Sequence, residues 1–525
     1  MFFARMLVSA LALLMVASTA HAGQHVATGD FNGDGRSDLA IGVPFEDLGT
    51  TTDCGVVHVI YGRGGGLANV NDDIWHQNKP GIPDVAESSD HFGRALAAGD
   101  FNGDGFDDLA IAIDEDFGNG AVQILYGANN GLGTLNNSLL TQETSSDGDV
   151  GVDNFGFCLA AGDFDRDGFD DLAIGEPRDT VRGFAVAGSV TVVYGEERGL
   201  RGGTQYLHQE RTGHGIGDLA ELFDVYGSAL AVGDFNGDNF DDLAIGVPGE
   251  DMAAVLDAGI VQVLYGSEDG LTAEGNERWM QNSPGVADAI ESNDQFGFTL
   301  AAGDFDSDGR DDLAIGVPFE KFDSRIHAGI VHVLYGTDGG LTGNGSDIWH
   351  QNRAGIEDEC ERDDEFGAAL AAGDFNRDGR ADLAIGAHGE TFEGDPIDEE
   401  DDLKTAGIIE VLYGTPSGLK TSNSQFWHLD VANVPGQPGG AHFGSALAVG
   451  DFDNDGFDDL AGSAPGESLD AVDRAGAMHI FYGSAARLTT IHGGKFWHQN
   501  ISGIADECEE GDGLGGVPPP PPPEE

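Results

Sequence analysis

The chain is poor in cysteine and in basic residues. It has 4 cysteines in 525 residues, which is too few for a disulfide scaffold, so apolar burial must stabilise the fold. Its 24 lysines and arginines face 93 aspartates and glutamates, giving a formal net charge of -69. That charge argues against binding nucleic acid or an anionic membrane surface, both of which require a basic patch. Cations are the expected partners.

Long apolar runs are also missing, except at the N-terminus. There, Arg5 precedes an apolar stretch from Met6 to about Ala17, and Ala20-His21-Ala22 forms a cleavage motif. The stretch is shorter than the roughly 20 residues that span a bilayer. A cleaved secretory signal over residues 1–22 is therefore favoured over a membrane anchor. We expect a protein that is secreted or held at the cell surface, with no membrane insertion after cleavage and with its oligomeric state open.

No segment after the N-terminus shows a convincing helical period, and a repeat of short strand-like runs dominates instead. The repeat is clearest in residues 296–352, where four runs are separated by turn residues. The runs are Phe296 to Ala302, Leu313 to Pro318, Gly329 to Gly336 and Trp349 to Asn352. The unit is predicted to be all-β.

Seven copies of this unit occupy nearly the whole mature chain, at a spacing of about 70 residues. Each contains Gly-Asp-Phe-Asn/Asp-x-Asp-Gly or a close variant, starting at Asp30, Asp100, Asp163, Asp234, Asp304, Asp374 and Asp451. Four strands in each of seven units suit radial repetition, so we predict a seven-bladed β-propeller of four-stranded blades. An open solenoid is the alternative, but the first and last copies are not distinct enough to act as caps.

The acidic segment between the first and second runs of each copy has the pattern of a calcium loop. In the fifth copy, Asp304, Asp306, Asp308 and Asp312 occupy loop positions 1, 3, 5 and 9, and Gly309 allows a sharp turn at position 6. The carbonyl oxygen at position 7 would add a further ligand. An EF-hand begins similarly, but it is flanked by helices and places a glutamate at position 12.

We therefore predict up to seven bound Ca²⁺ ions. The predicted ligands are Asp30, Asn32, Asp34, Arg36, Asp38, Asp100, Asn102, Asp104, Phe106, Asp108, Asp163, Asp165, Asp167, Phe169, Asp171, Asp234, Asn236, Asp238, Phe240, Asp242, Asp304, Asp306, Asp308, Arg310, Asp312, Asp374, Asn376, Asp378, Arg380, Asp382, Asp451, Asp453, Asp455, Phe457 and Asp459. In the fourth copy Asn239 replaces the position-6 glycine, and asparagine tolerates left-handed backbone angles, so this loop is also expected to bind.

Aromatic residues fall at fixed positions of the repeat. All five tryptophans, Trp75, Trp279, Trp349, Trp427 and Trp497, lie in the fourth run. They could form a sugar-stacking platform, but a ring at one position per unit more simply fills the space between sheets. The neighbouring His76, His350, His428 and His498 are likewise assigned to packing, because no second histidine or cysteine accompanies each one.

The complete pattern resembles the FG-GAP repeats of integrin α-subunit propellers. Phe-Gly or Tyr-Gly precedes the first run at Phe92, Phe155, Tyr226, Phe296, Phe366 and Phe443, and Asp-Leu-Ala-Ile-Gly-x-Pro follows the loop in several copies. The resemblance covers about residues 24 to 510. It implies a seven-bladed propeller with calcium loops on one face, and with ligands and partner subunits approaching the other.

The first copy lacks this aromatic-glycine pair. Residues 503–508 align with residues 355–360, which places Leu514-Gly515 near the position of Phe366-Gly367. The C-terminal segment could therefore complete the first unit, and a Cys54–Cys508 disulfide could latch the ring, whereas Cys158 reads as a small buried residue. We divide the chain into a signal peptide (1–22), a propeller (23–510) and a disordered Gly/Pro-rich tail (511–525).

These features favour a secreted calcium-binding module that acts in adhesion or in binding an unknown protein or glycan, through loops opposite the calcium face. The motifs G-x-S-x-G, H-E-x-x-H and G-x-x-x-x-G-K-[ST] are absent, and no catalytic residue is assigned. The alternative is an exported hydrolase or lyase acting on a polymer near the propeller axis. Its residues should break the repeat, as the connections Gln209 to Val225 and Gly389 to Thr405 do.

Overall fold

A computed structural model describes most of the chain. The described residues are 25–67, 72–114, 119–142, 153–209, 219–391, 405–430, 434, 436, 440–469, 472–490, 495–501 and 508–516. The predicted signal peptide and residues 517–525 lie outside these ranges, as do residues 210–218 and 392–404 of the two irregular connections.

The described chain forms 28 strands in seven four-stranded sheets, which we call blades 1 to 7 in chain order. Blades 1 to 3 contain β1 (Val26–Gly29), β2 (Asp38–Val43), β3 (Val56–Ile60), β4 (Asp73–Trp75), β5 (Leu96–Gly99), β6 (Asp108–Ile113), β7 (Ala121–Tyr126), β8 (Gly133–Thr141), β9 (Leu159–Gly162), β10 (Asp171–Glu176), β11 (Ser189–Val193) and β12 (Thr204–Leu207). Blades 4 and 5 contain β13 (Ala229–Gly233), β14 (Asp242–Val247), β15 (Ile260–Tyr265), β16 (Thr272–Trp279), β17 (Thr299–Gly303), β18 (Asp312–Val317), β19 (Ile330–Tyr335) and β20 (Thr342–Trp349). Blades 6 and 7 contain β21 (Ala369–Gly373), β22 (Asp382–Ala387), β23 (Ile408–Tyr413), β24 (Lys420–Trp427), β25 (Leu447–Gly450), β26 (Asp459–Ala464), β27 (Ala477–Phe481) and β28 (Lys495–Trp497).

Within each blade the strands pair antiparallel in sequence order. In blade 5, for example, Thr299 pairs with Gly316 and Gly303 with Asp312, and β18 then pairs with β19 from Leu313↔Leu334 to Val317↔Ile330. The first strands of neighbouring blades contact one another, and β1 also contacts β25. The seven first strands therefore surround a central axis, and the predicted seven-bladed all-β propeller is confirmed.

Antiparallel pairing gives the molecule two distinct faces. The connections from the first to the second strand of each blade, which contain the acidic loops, lie on one side with those from the third to the fourth strand. We call this side the loop face. The connections from the second to the third strand, and those from each blade to the next, lie on the opposite face. In each blade, the second strand is buried along its whole length.

The hydrophobic core lies between the blades rather than inside any one of them. One cluster joins Val331, Val333 and Trp349 of blade 5 to Leu383 and Ile385 of blade 6, and each of the other large clusters joins two neighbouring blades in the same way. A fully buried side chain of this size contributes about 1.5–3 kcal/mol to folding. Each blade therefore depends on its neighbours for stability.

The tryptophans belong to this core, as their fixed position in the repeat predicts. Trp75, Trp349, Trp427 and Trp497 are buried, and Trp279 is half-buried. Lys79 and Arg353 place their cationic groups over the rings of Trp75 and Trp349, 3.6 and 3.7 Å from the centroids. The rings are thus covered, which agrees with packing rather than an open stacking platform.

The C-terminal segment closes the ring between blades 7 and 1. The Leu514 N–H donates to the Ala475 carbonyl (3.4 Å), and the Gly515 N–H donates to the Gly42 carbonyl of β2 (3.0 Å). Phe92 and Gly93 make the equivalent bonds in blade 2, to Cys54 and Ala112.

Leu514 is 2% exposed and packs in the cluster that contains Val26 and Met478. The prediction that Leu514-Gly515 completes blade 1 is therefore confirmed. The predicted boundary at residue 510 is too early, because residues 511–516 are part of the propeller.

The proposed covalent latch is not formed. All four cysteines are buried and free, so the structure has no Cys54–Cys508 disulfide. The Cys54 Sγ lies 3.4 Å from the Thr51 carbonyl oxygen, and the Cys508 N–H donates to Asn500 Oδ1 (3.2 Å). Cys158 is 0% exposed, as expected for a small buried residue. Ring closure thus depends on backbone hydrogen bonds and on Leu514.

Ending the chain after Glu510 should lower the free energy of unfolding by at least ~2 kcal/mol, because the buried site of Leu514 is emptied and residues 511–515 no longer donate backbone hydrogen bonds to blades 7 and 1. Urea denaturation followed by tryptophan fluorescence measures this change. A chain ending after Gly516 is the matched control and should unfold like the full chain. Equal stability of the two truncated chains would contradict the closure described here.

Candidate functional site

Seven acidic loops lie side by side around the loop face, each joining the first and second strands of a blade. The structure brings carboxylates close together in two of these loops. In blade 5, Asp304, Asp306 and Asp308 offer oxygens that all lie within 4.8 Å of one another, and Asp163, Asp165 and Asp171 do so in blade 3. Converging carboxylate oxygens at this separation match the ligands that a hard divalent cation such as Ca²⁺ takes.

Backbone hydrogen bonds to the first aspartate shape each loop. In blade 5 the Asp308 N–H donates to Asp304 Oδ1 (3.1 Å) and the Gly309 N–H donates to Asp304 Oδ2 (2.9 Å). Gly309 has φ of 87°, a left-handed angle that bends the chain back around the carboxylates. The position-7 residue Arg310 joins the loop through its N–H, which donates to Asp308 Oδ1 (3.1 Å).

Asparagine performs the role of this glycine in blade 4. Asn239 has φ of 66°, and its N–H donates to Asp234 Oδ2 (2.8 Å), as Gly309 does to Asp304. The loop shape is therefore retained. This agrees with the prediction that asparagine tolerates the left-handed angle at position 6.

The aspartate at position 9 has a structural role that its place in the motif does not reveal. Asp312 is 1% exposed, and its two oxygens accept hydrogen bonds from the Phe305 N–H (2.9 Å) and the Gly336 N–H (2.8 Å). Burial is the main cause that raises the pKa of Asp312, to about 8. The same pair of bonds recurs in all seven blades. Position 9 thus ties each loop to the end of the third strand.

The asparagines at position 3 do not all face their loops alike. In blades 1, 2 and 6 the amide Nδ2 of Asn32, Asn102 and Asn376 lies 3.1 Å from the nearer oxygen of the position-9 aspartate. Exchanging amide oxygen and nitrogen by rotation would turn an oxygen towards the centre of the loop. These asparagines can therefore serve either as hydrogen-bond donors or as cation ligands.

Sequence reasoning missed the residue at position 8, which links neighbouring loops. Asp241 Oδ2 accepts the Asp163 N–H of the previous blade (2.9 Å), and the Asp241 N–H donates to the Asp163 carbonyl (3.3 Å). The side-chain links are Asp30 to Asp107, Asp100 to Asp170, Asp163 to Asp241, Asp234 to Asp311 and Asp374 to Asp458. The repeated Asp-Asp-Leu sequence was the available signal.

The same backbone link closes the ring. Ser37 replaces the aspartate in blade 1, yet its N–H donates to the Asp451 carbonyl of blade 7 (3.0 Å), and Ala381 does the same to Asp304 (2.9 Å). The seven loops are therefore one continuous hydrogen-bonded rim. Each loop is thus hydrogen-bonded to the loops of both neighbouring blades.

The opposite face carries most of the exposed apolar side chains. Among the described residues, the large hydrophobic side chains exposed by more than a third are Val85, Leu135, Phe184, Leu219, Leu222, Leu256 and Ile326. All except Leu135, which lies on the outer strand β8, belong to opposite-face connections. Phe184, Leu256 and Ile326 lie near the tips of the connections between the second and third strands of blades 3, 4 and 5. They occupy similar positions in three consecutive blades, and we call these three side chains the apolar arc.

A group of histidines lies on the same face, where blades 5, 6 and 7 adjoin, and we call it the histidine group. His388 Nε2 lies 3.0 Å from Glu365 Oε2, and His442 Nε2 lies 2.6 Å from Thr405 Oγ1. Burial alone would raise the pKa of Glu365, but nearby His388, His327 and His442 hold it below its usual value. His388 stands where five other blades have proline, so this group departs from the repeat.

Comparison with known proteins agrees with this architecture. The family model described as FG-GAP repeat matches residues 22–60, 92–125, 155–193, 226–264, 296–334, 366–398 and 443–481. The chain belongs to the FG-GAP repeat family.

Among the relatives, phosphatidylinositol-glycan-specific phospholipase D of Mus musculus is 36% identical over 34% of this chain and 20% of its own length. Integrin alpha-PS2 of Drosophila melanogaster is 30% identical over 47% of this chain and 16% of its own, and integrin alpha-8 of Gallus gallus is 29% identical over 46% and 21%. The match thus spans about a fifth of these relatives.

A solved structure of rhamnogalacturonan lyase YesW aligns over 78% of this chain and 74% of its own, at 11% identity and a TM-score of 0.33, which is too low to support an argument. Within the part of the chain that the structure describes, no helix is long and apolar enough to cross a membrane.

Replacing Asp241 by alanine should lower the free energy of unfolding by about 1–2 kcal/mol, because the Asp163 N–H loses its carboxylate acceptor. Chemical denaturation of the full chain measures the effect. Glu268→Ala, which removes an exposed carboxylate on the loop face, serves as the control and should change stability by less than about 0.5 kcal/mol. If the two variants unfold alike, the links between loops contribute no stability.

Proposed function

We propose that this protein is an exported β-propeller that binds Ca²⁺ in its seven acidic loops and a protein or glycan ligand on its opposite face. The ligand is neither a nucleic acid nor an anionic lipid surface, since the net charge is -69. Export rests on the predicted signal sequence at residues 1–22. Adhesion or capture of a ligand, without turnover, is the favoured activity.

The loops support the calcium part of this proposal through their geometry. Each contains four carboxylate or amide side chains, at positions 1, 3, 5 and 9, and a backbone N–H bond already holds the first of them. Like charges so close together are stabilised by a bound cation. Because the loops form one rim, ions bound there stabilise the interfaces between blades as well as the individual loops.

The apolar arc is the observation that carries the ligand part. Phe184, Leu256 and Ile326 are 41%, 38% and 45% exposed in three consecutive blades of a strongly charged protein. Single exposed apolar side chains are common, but their recurrence at equivalent positions of three consecutive blades leads us to propose an interaction surface here. Rigid blades supporting variable connections also suit recognition. The integrin relatives share the repeat, which makes adhesion the first activity to test.

Removing calcium should lower the melting temperature, because an ion that binds only the folded state stabilises it by about 2.7 kcal/mol per site at about 100 times its Kd. Differential scanning calorimetry with and without a chelator measures the shift, and added calcium should reverse it. Asp304→Ala combined with Asp306→Ala should reduce the shift, whereas Glu268→Ala should not. An identical melting curve in chelator would refute calcium binding by the loops.

Placing a charge in the apolar arc should weaken ligand binding without unfolding the propeller. A screen of immobilised glycans and matrix proteins first finds a ligand. Leu256→Asp with Ile326→Asp should then weaken its binding on the order of ten-fold or more, as loss of central apolar contacts does. Leu135→Asp is the matched control, since Leu135 is 80% exposed on an outer strand. Equal loss in both variants would place the binding surface elsewhere.

A second candidate function is hydrolysis or cleavage of a polymer, and the histidine group is the observation that favours it. An ionised carboxylate beside imidazoles suits general acid–base chemistry, and Glu365 and His388 are both partly accessible. The same polymers should therefore be assayed for turnover. Turnover that Glu365→Gln abolishes while the fold is intact would favour an enzyme, and its absence across the screen favours the binding module.

A further inference from the structure

A second acidic motif recurs in the chain, on the face opposite the loops. It reads Asp-x-x-Glu-x-x-Asp and ends two residues before the Phe-Gly position. The five copies are Asp84-Glu87-Asp90, Asp218-Glu221-Asp224, Asp288-Glu291-Asp294, Asp358-Glu361-Asp364 and Asp506-Glu509-Asp512. They precede blades 2, 4, 5, 6 and, across the ring closure, blade 1. Asp218 and Asp506 lie outside the described residues.

The fold brings this motif against one further glutamate, which follows the second strand of the same blade. In blade 5, Glu291 and Asp294 meet Glu320, with one oxygen of each within 4.8 Å of the others. Glu361, Asp364 and Glu390 form the same group in blade 6, and Glu46, Glu509 and Asp512 form it in blade 1. We call these three groups the second acidic clusters. Asp294 and Glu320 are 2% and 4% exposed.

A buried glutamine from the preceding blade completes each cluster. Gln281 Nε2 lies 2.6 Å from Glu320 Oε2, while Gln281 Oε1 makes no hydrogen bond although the side chain is 0% exposed. Gln351 and Gln499 repeat this arrangement on Glu390 and Glu46, and each has an Oε1 without a hydrogen-bond partner. A buried carbonyl oxygen that lacks a partner is unfavourable, and it recurs in these three clusters and at the equivalent Gln77 and Gln209 before blades 2 and 4, so this position calls for a ligand.

Rotation of the glutamine amide by half a turn would present this carbonyl oxygen to the three carboxylates. The resulting donor set consists of three carboxylates and one amide oxygen, with no nitrogen or sulfur, which suits a hard divalent cation of the calcium class. In blade 6, Asp364 Oδ1 is a further buried oxygen without a hydrogen-bond partner inside the cluster. Among the described side chains, no ion pair with lysine or arginine neutralises Glu291, Asp294 or Glu320.

We propose that the second acidic clusters of blades 1, 5 and 6 each bind a divalent cation, independently of the acidic loops. Each ion joins two neighbouring blades, because the glutamine and the Asp-x-x-Glu-x-x-Asp motif follow one blade and the last glutamate belongs to the next. The cluster in blade 1 uses Gln499, Glu509 and Asp512 from the C-terminal part of the chain, so its ion also holds the ring closed.

Blade 7 provides a natural comparison, because it has the glutamate after the second strand but has neither the two motif acids nor the glutamine. Glu467 occupies the position of Glu320, whereas Pro438 and Ala441 replace Glu291 and Asp294, and Leu429 replaces the glutamine. A cation site therefore cannot form there. Removing the Glu467 carboxylate removes an equivalent buried acid without removing a cluster.

Equilibrium dialysis of the full chain against calcium at about 1 mM, a concentration suited to extracellular modules, counts the bound ions. Glu291→Gln with Asp294→Asn should bind one ion fewer than the wild type, and Glu467→Gln should bind the same number as the wild type. An unchanged count in the folded cluster variant would overturn the proposal, as would an equal loss in Glu467→Gln. Circular dichroism checks folding, and Glu320→Gln replaces the double variant under the same criterion if the latter does not fold.

A loop variant separates this proposal from the one on the acidic loops. Asp304→Asn with Asp306→Asn should remove one ion from a loop and leave the cluster ions in place. If only the cluster variant binds one ion fewer, the result supports cation binding by the clusters and refutes binding by that loop. If only the loop variant binds one ion fewer, the result overturns cation binding by the clusters and supports binding by the loop.

Discussion

The structure depends on one constraint: each four-stranded sheet has two apolar faces, and neither can be covered by the blade itself. The seven large clusters of buried side chains each cross from one blade to the next. An open row of seven blades would expose one face at each end to water. Closure removes both exposed faces at once, which is why six residues around Leu514 matter more to the fold than their number suggests.

Two sets of acidic residues, one on each face of the propeller, account for part of the high negative charge. One set forms the rim of loops, where the position-8 carboxylates accept hydrogen bonds across blade boundaries and the position-9 carboxylates hold the third strands. Another set lies buried with glutamines on the opposite face. The position-8 carboxylates and the second acidic clusters lie where neighbouring blades meet, so part of the negative charge is at the interfaces. The cations that we propose for these sites would therefore stabilise the association of blades, while the apolar arc and the histidine group remain at the surface for recognition or chemistry.

Much of this could be read from the sequence because the repeat is local. Alternating runs predicted the strands, the loop pattern predicted the converging Asp304, Asp306 and Asp308, and alignment of the C-terminal segment predicted the role of Leu514. Contacts between distant residues could not be read in this way. Glu320 meets Glu291 only because the second strand of blade 5 ends beside the connection from blade 4, and His388 meets Glu365 for a similar reason. The disulfide prediction was wrong: sequence alignment placed Cys54 and Cys508 on one face, but both thiols are free, and Cys54 Sγ lies beside the carbonyl oxygens of Glu46 and Thr51.

The position of the closing segment has a consequence for how the chain matures. Residues 508–516 emerge from the ribosome after all seven blades have been made. Blade 1 emerges first, but it lacks the Leu514-Gly515 pair until this last segment has been synthesised. Until Leu514 has been synthesised, the boundary between blades 7 and 1 is therefore open, and Val26 and Met478 lack the contact with Leu514. A protease or chaperone that recognises exposed apolar surface would distinguish open from closed propellers at this seam. Blade 1 can therefore be sealed only after residues 508–516 have been synthesised.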